Sequence, residues 1–296
     1  MSRLPCSTQM ISVPGGQIAV SSVGGGSPVI FLHGGPGDTH DYMRRMAEPL
    51  FQDFQCIFFD QRGTGGSVNF ERSPELFGLE YLFDDLKAVQ EHFQADNAAL
   101  VGHSWGAMYA LYACLRYPDR FKKAALLSMG PLDAGMESAT SEHLISVLSD
   151  SEKAEWQNLR RERNKARDER SFNRVQALDK ELMHLRLKAW IFNPNLREAF
   201  LTEYFQDPPP DREVNKLIWE AQHRWFSWEK LSALKTPTWL CVGANDSVPV
   251  TQAERIAEIA PSAHVTIYEN CGHIPWLEYP EKFYEEIQKF LGAENG

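Results

Sequence analysis

The chain has 296 residues, of which 43% are hydrophobic and 24% charged, with a formal net charge of −10 at pH 7. That length and composition suit one large core, or a core carrying an inserted subdomain, and exclude a disordered chain. The acidic balance argues against a general nucleic-acid binder, which needs clustered Lys and Arg. No apolar run approaches the ~20 residues of a membrane span.

The first ten residues, Met1 to Met10, lack the apolar segment of a signal peptide, so Cys6 is not expected to carry a lipid. Next come two short apolar stretches, Ile11 to Val13 and Ile18 to Val23, with Pro14-Gly15-Gly16 between them. That pattern predicts a hairpin. Continuous apolar runs follow at Val29–Leu32, Cys56–Phe59, Ala98–Val101, Ala124–Leu127, Trp239–Val242 and His264–Tyr268, as expected of strands buried on both faces. Helical patterns lie between several of them, at Tyr42–Leu50, Leu79–Phe93, Gly106–Tyr117, Thr251–Ala260 and Pro280–Leu291. The alternation predicts a mostly parallel α/β sheet covered by helices on both faces, with an antiparallel hairpin at one edge.

Between about Gly130 and Ser232 the alternation stops. Leu178, Leu182 and Leu185, then Leu217, Ala221, Trp225 and Trp228, recur at helical intervals. Asp207-Pro208-Pro209-Pro210 breaks one helix from the next, and Asp211 is placed to cap the second of the two. The charged runs Arg160–Arg163 and Arg167–Arg170 read as a solvated helix face. The expected organisation is therefore a core of residues 1–130 and 232–296, with an all-helical cap over 131–231.

The sharpest signal is Gly102-His103-Ser104-Trp105-Gly106. This G-x-S-x-G lies between a buried strand and a helix, the context in which a serine stands exposed at a strained turn beside a helix N-terminus. A serine hydroxyl needs a base, and the base needs an orienting acid. Strand Trp239–Val242 runs into Gly243-Ala244-Asn245-Asp246, and strand His264–Tyr268 into Glu269-Asn270-Cys271-Gly272-His273. A carboxylate and a histidine thus come after Ser104 in chain order, each just past the C-terminal end of a strand. Ser104, Asp246 and His273 form the expected catalytic triad.

An oxyanion site needs N–H donors, each worth roughly 3–4 kcal/mol in acyl transfer. The amide of Trp105 is one candidate. The loop His33-Gly34-Gly35-Pro36-Gly37 supplies the other, with Gly35 favoured and Gly34 as the alternative. Asp60 ends a strand but precedes the serine, so it reads as structural, bonding backbone or Arg62. His103 reads as a core residue, His33 and His40 as supporting or surface residues, and Cys271 as a bystander. Five cysteines without C-x-x-C spacing give neither a disulfide framework nor a zinc site, which fits a reducing cytoplasm. No cofactor or metal is expected.

These residues resemble the α/β-hydrolase fold, and within it the proline iminopeptidase-like serine peptidases. The resemblance rests on His33–Gly37, on Asp60-Gln61-Arg62-Gly63-Thr64-Gly65-Gly66-Ser67, on the Gly102–Gly106 elbow, and on the Asp246 and Gly272-His273 loops. It implies a helical cap, an apolar pocket for proline, and acidic residues that hold the substrate's amino group. Cap glutamates Glu198, Glu203, Glu220 and Glu229 are candidates for that role, Glu203 and Glu229 first because they sit among aromatics, with Trp105, Trp225 and Trp228 as pocket walls. Some relatives place a glutamate directly after the catalytic Asp, whereas Ser247 stands there in this chain. The expected activity is release of N-terminal residues, proline first, from short peptides or amides through an acyl-enzyme. A carboxylic-ester or lactone hydrolase is the alternative, and a non-catalytic binder of the same fold the third reading. The expected partner is a small molecule or short peptide, with neither nucleic acid nor membrane.

Overall fold

The computed structural model describes residues 7–222 and 226–292, so Cys6 and Trp225 fall outside it. The strands are β1 (Gln9–Val13), β2 (Gly16–Val23), β3 (Ser27–Leu32), β4 (Phe54–Phe59), β5 (Ala99–His103), β6 (Ala124–Leu127), β7 (Thr238–Gly243) and β8 (Ala263–Tyr268). They form one sheet in the order β1-β2-β4-β3-β5-β6-β7-β8. The β1–β2 and β2–β4 pairs are antiparallel and the remaining pairs parallel. The β1–β2 turn falls at Pro14-Gly15, as the sequence suggested.

The period of two along the central strands divides the core into two layers. Ile30, Leu32, Ile57, Phe59, Leu100, Leu126 and Leu240 face one apolar layer. Helices α2 (Leu79–His92) and α3 (Trp105–Arg116), together with α9 (Thr251–Ile259), pack into it. Val29, Phe31, Cys56, Phe58, Val101, Leu127 and Trp239 face the other, which α1 (Asp41–Ala47) and α11 (Pro280–Gly292) cover. Burial on both sides is why these strands read as unbroken apolar runs. The helix expected over Tyr42–Leu50 is α1 plus a 3-10 turn, Glu48–Leu50. Pro49 has no N–H to continue the ladder.

Between β6 and β7 the described chain is helical: α4 (Ala134–Ser146), α5 (Asp150–Asp168), α6 (Phe172–Trp190), α7 (Arg197–Tyr204) and α8 (Arg212–Gln222). Ser149 opens α5 with a capping box to Glu152. Trp156 and Leu159 of α5 meet Leu178, Leu182 and Leu185 of α6 in a small core of their own. Asp211 caps α8 by accepting from the amides of Glu213 and Val214. A short α10 (Pro275–Glu278) adds Leu277, which with Ile274 packs against Leu187 and Leu201 and so joins this region to the sheet. Among the described residues, no helix is long and apolar enough to cross a membrane.

The tightest contact in the sheet lies between β5, α3 and β3. A Cβ on Gly106 would stand 1.9 Å from the Leu32 carbonyl oxygen, and one on Gly102 would stand 2.2 Å from the Gly106 oxygen. Both obstacles are backbone and cannot rotate away. Gly106→Ala is therefore expected to destabilise the fold by at least about 3 kcal/mol, read as a lower urea midpoint or loss of soluble protein.

Candidate active site

Because β5 ends at His103 and α3 begins at Trp105, Ser104 alone makes the turn. Its φ of 55° and ψ of −118° are costly for a residue with a side chain, about 1–3 kcal/mol. The surrounding backbone enforces them. The Ser104 N–H donates to Leu127 O at 3.0 Å, and its carbonyl accepts from the amides of Ala107, Met108 and Gly130 at 3.1, 3.3 and 3.1 Å.

Asp246 follows β7 and His273 follows β8. These strands are parallel neighbours paired as far as Gly243 and Tyr268, so both loops emerge at the sheet edge where Ser104 stands. His273 Nδ1 lies 2.9 Å from each Asp246 carboxylate oxygen, with both side chains buried. A carboxylate only accepts, so Nδ1 carries the proton and Nε2 is left basic. Ser247, which stands where some relatives have glutamate, donates its hydroxyl to Asp246 at 3.2 Å, and the Val248 amide adds a bond at 3.3 Å. Ser104 and His273 line one cavity of about 330 Å³. Among the described residues no hydrogen bond joins their side chains, an open geometry that a substrate can tighten.

The Gly34 amide donates to the Tyr42 hydroxyl at 2.6 Å, so Gly34 does not present a free donor. Gly35 lines the cavity, and among the described residues its amide makes no backbone bond. Trp105 is the first residue of α3, where amides lack a helical partner. The Gly35 and Trp105 amides thus have no backbone acceptor among the described residues.

His103 sits at the centre of a hydrogen-bonded run. Tyr42 donates its hydroxyl to His103 Nδ1 at 2.9 Å, and His103 Nε2 donates to the backbone oxygen of His273 at 3.1 Å. Burial, reinforced by the neighbouring His273, holds the His103 pKa well below the usual histidine value. The neutral ring is the form this run of bonds requires. His33 is likewise kept neutral by burial, its pKa lowered to about 4. Its Nε2 accepts the Gln61 amide, while the Gln61 side chain accepts from Trp105 Nε1.

Other sequence candidates lie elsewhere. The Trp105 ring is buried against Tyr109, Tyr112 and Trp219 and forms no cavity wall. Trp228 opens a 3-10 helix, Trp228–Ala233, which packs on α3 and α9. Its Nε1 donates to Asp133, and Arg255 stacks 3.9 Å from its ring centroid, so it is committed away from the cavity. Glu229 is exposed on the same turn, and Glu198 and Glu220 are exposed too. Glu203 does line the cavity, but Arg45 lies 2.5 Å from its Oε1. Asp60 bonds the His40 ring and the His40 and Gly66 amides. It does not bond Arg62, whose guanidinium instead pairs with buried Asp85. Cys271 is buried, which pushes its thiol pKa up and keeps it unreactive.

The cavity also contains residues the sequence reading missed. Asp38 lines it, its carboxyl raised to about 6 by burial. Trp190 stacks on His273 with ring centroids 5.1 Å apart, and its carbonyl accepts the His273 amide at 2.6 Å. Arg186 stands 5.3 Å from the Trp190 ring. Its spacing four residues before Trp190 was a readable sign that the two share a helix face. Asp38, one residue past the glycine loop, carried no such sign.

The fold and this arrangement define a class. Residues 27–280 match the α/β hydrolase fold family model, and the chain belongs to that family. It is 25% identical over 279 residues to a proline iminopeptidase of Lactobacillus acidophilus, covering 91% of each chain. Among solved structures, a proline iminopeptidase-related protein from Thermus thermophilus superposes with a TM-score of 0.75 at 22% identity, covering 98% of both chains. An esterase from Exiguobacterium antarcticum gives 0.73 at 18% identity, covering 97% of this chain and 100% of its own.

The Tyr42 hydroxyl serves two buried groups at once, accepting from Gly34 and donating to His103. Tyr42→Phe strands both, and is expected to lower unfolding free energy by about 1–3 kcal/mol. Urea denaturation of the variant beside the wild type measures that loss.

Proposed function

We propose that this protein is a serine hydrolase working through an acyl-enzyme, and that its substrates are short peptides or amides with a free N-terminus, proline first. The observation that carries the reading is the Asp246–His273 pair beside Ser104 at a strained strand-to-helix turn. In this mechanism His273 Nε2 takes the Ser104 proton as Oγ attacks the carbonyl carbon. Asp246 holds the imidazole through Nδ1 and stabilises its charge, and the amides of Gly35 and Trp105 receive the oxyanion. His273 returns the proton to the leaving group, then activates water to release the acyl group.

The aminopeptidase form of this reading is supported by the proline iminopeptidases among its relatives. It is also supported by Asp38, a cavity carboxylate that makes no hydrogen bond or ion pair among the described residues and so is available to a substrate ammonium. The modest cavity suits a small or terminal group better than the middle of a chain. A second reading, hydrolysis of carboxylic esters or lactones on the same residues, is favoured by one observation. Glu203, the cap glutamate that reaches the cavity, is already paired with Arg45.

A fluorophosphonate is expected to label the wild type and not Ser104→Ala, whose turnover should fall by on the order of 10⁴ or more. Absence of label on the wild type removes the acyl-transfer reading. Strong ester turnover without any prolyl-anilide turnover would replace the peptidase with the esterase.

If Asp38 holds the ammonium, its charge is lost as pH falls through about 6. KM for a prolyl substrate should then rise below that pH, and Asp38→Asn should raise KM at pH 7.5 and flatten the profile. Steady-state kinetics between pH 5 and 8, as roughly the range over which such a carboxyl titrates, measure both.

A further inference from the structure

Three arginines line the cavity, and two are engaged. Arg45 gives both terminal nitrogens to Asp207 at 2.7 and 2.6 Å and also meets Glu203. Arg212 pairs with Asp179 at 3.2 Å, an acid it shares with Arg163. Arg186 differs. Among the described residues no carboxylate lies within 4.0 Å of its guanidinium, and it makes no hydrogen bond. The charges that act on it include Arg212 and Arg163, which repel it, and Asp179, which attracts it; Arg186 in turn attracts Asp38 without an ion pair between them.

A guanidinium does not shed its proton in a protein, so Arg186 remains a cation whatever its surroundings. A partly buried cation without a direct ion pair is costly, and the fold keeps this one. Its position is defined. Arg186 projects from α6 one turn before Trp190 and stacks on that ring, and the His273 ring stacks on it too. One aromatic ring therefore touches both this positive charge and the reacting histidine. Asp38, which makes no hydrogen bond or ion pair among the described residues but feels Arg212 and Arg186, supplies the opposite sign in the same cavity.

We infer that Arg186 is the anchor for a carboxylate carried by the substrate. Its planar fork of N–H donors matches a carboxylate with two parallel bonds. The inference rests on the acyl-transfer reading above and deepens it. With an ammonium at Asp38 and a carboxylate at Arg186, the preferred substrate is a short peptide with both termini free.

The test compares each acid with its neutral counterpart. Prolyl-alanine is set against prolyl-alaninamide, and the mono-4-nitrophenyl ester of succinate against 4-nitrophenyl butyrate, for wild type, Arg186→Gln and Arg186→Lys. In the wild type, kcat/KM for prolyl-alanine is expected to exceed that for its amide by at least about tenfold. The ratio should collapse towards one in Arg186→Gln and be partly kept in Arg186→Lys. A merely structural role, such as bracing Trp190, would lower acid and neutral substrates alike and leave the ratio intact. That result overturns the inference, as does a wild-type ratio near one in both pairs. An Arg186-dependent preference confined to the ester pair keeps the carboxylate anchor and overturns the peptide as its source. Fluorophosphonate labelling of the same preparations separates the two levels. A labelled enzyme with no acid preference loses only the anchor, whereas an unlabelled one loses the reading beneath it.

Discussion

The constraint on which the rest of this structure depends is the close approach of β5, α3 and β3 around Ser104. Backbone meets backbone there with no room for a side chain at Gly102 or Gly106. The closeness forces Ser104 into a left-handed conformation and lines up three amides on its carbonyl oxygen. Nothing in this arrangement is a side-chain preference. It arises from strand and helix axes brought nearer than ordinary packing allows, and it turns one hydroxyl out of the sheet towards the cavity.

Around that point the parts of the site are tied to one another by backbone as much as by side chain. The run from Gly34 through Tyr42 and His103 to the carbonyl of His273 joins the glycine loop, the elbow and the histidine loop. The cap joins in at two places. Asp211 and Asn215 bond the carbonyls of Gly37 and Pro36, and the Trp190 carbonyl bonds the His273 amide. A residue at Gly272 with a Cβ would place that atom 2.2 Å from the Trp190 oxygen, so this second contact too requires glycine. The cap thereby helps fix the geometry of the loops that would carry the chemistry, as well as roofing the cavity.

The charges of the cavity are unevenly settled, and this distinguishes machinery from recognition. Arg45 is shared by Glu203 and Asp207, and Arg212 is held by Asp179. Asp38 and Arg186 are left without a direct hydrogen bond or ion pair among the described residues, although they attract each other across the cavity. The Arg45 pairs tie α1 to the cap and the Arg212 pair ties α8 to α6, where exposed pairs contribute little and buried ones chiefly set geometry. Unpaired charges facing a cavity are available to whatever enters it.

The sequence by itself determined the sheet, its two apolar layers, the helical character of the stretch between β6 and β7, and the order Ser104, Asp246, His273. Those features are written in local periodicity, in glycine spacing and in the ends of strands, which a chain carries wherever it is folded. The pairing of Asp246 with His273 needed only neighbouring parallel strands, so it too was within reach. Which polar residues line the cavity was not. Asp38, Tyr42, Arg186 and Trp190 are brought together from the end of the glycine loop, α1 and α6, through contacts between core and cap that leave no local pattern. Trp228 and Glu229 show the converse, since aromatic surroundings in sequence gave no direction in space. Tertiary structure alone decided that Gly34 gives its amide to Tyr42, that Arg45 takes Glu203, and that Arg186 is left over. Pairing between side chains distant in sequence depends on how helices dock, and docking is set by the whole packed interface.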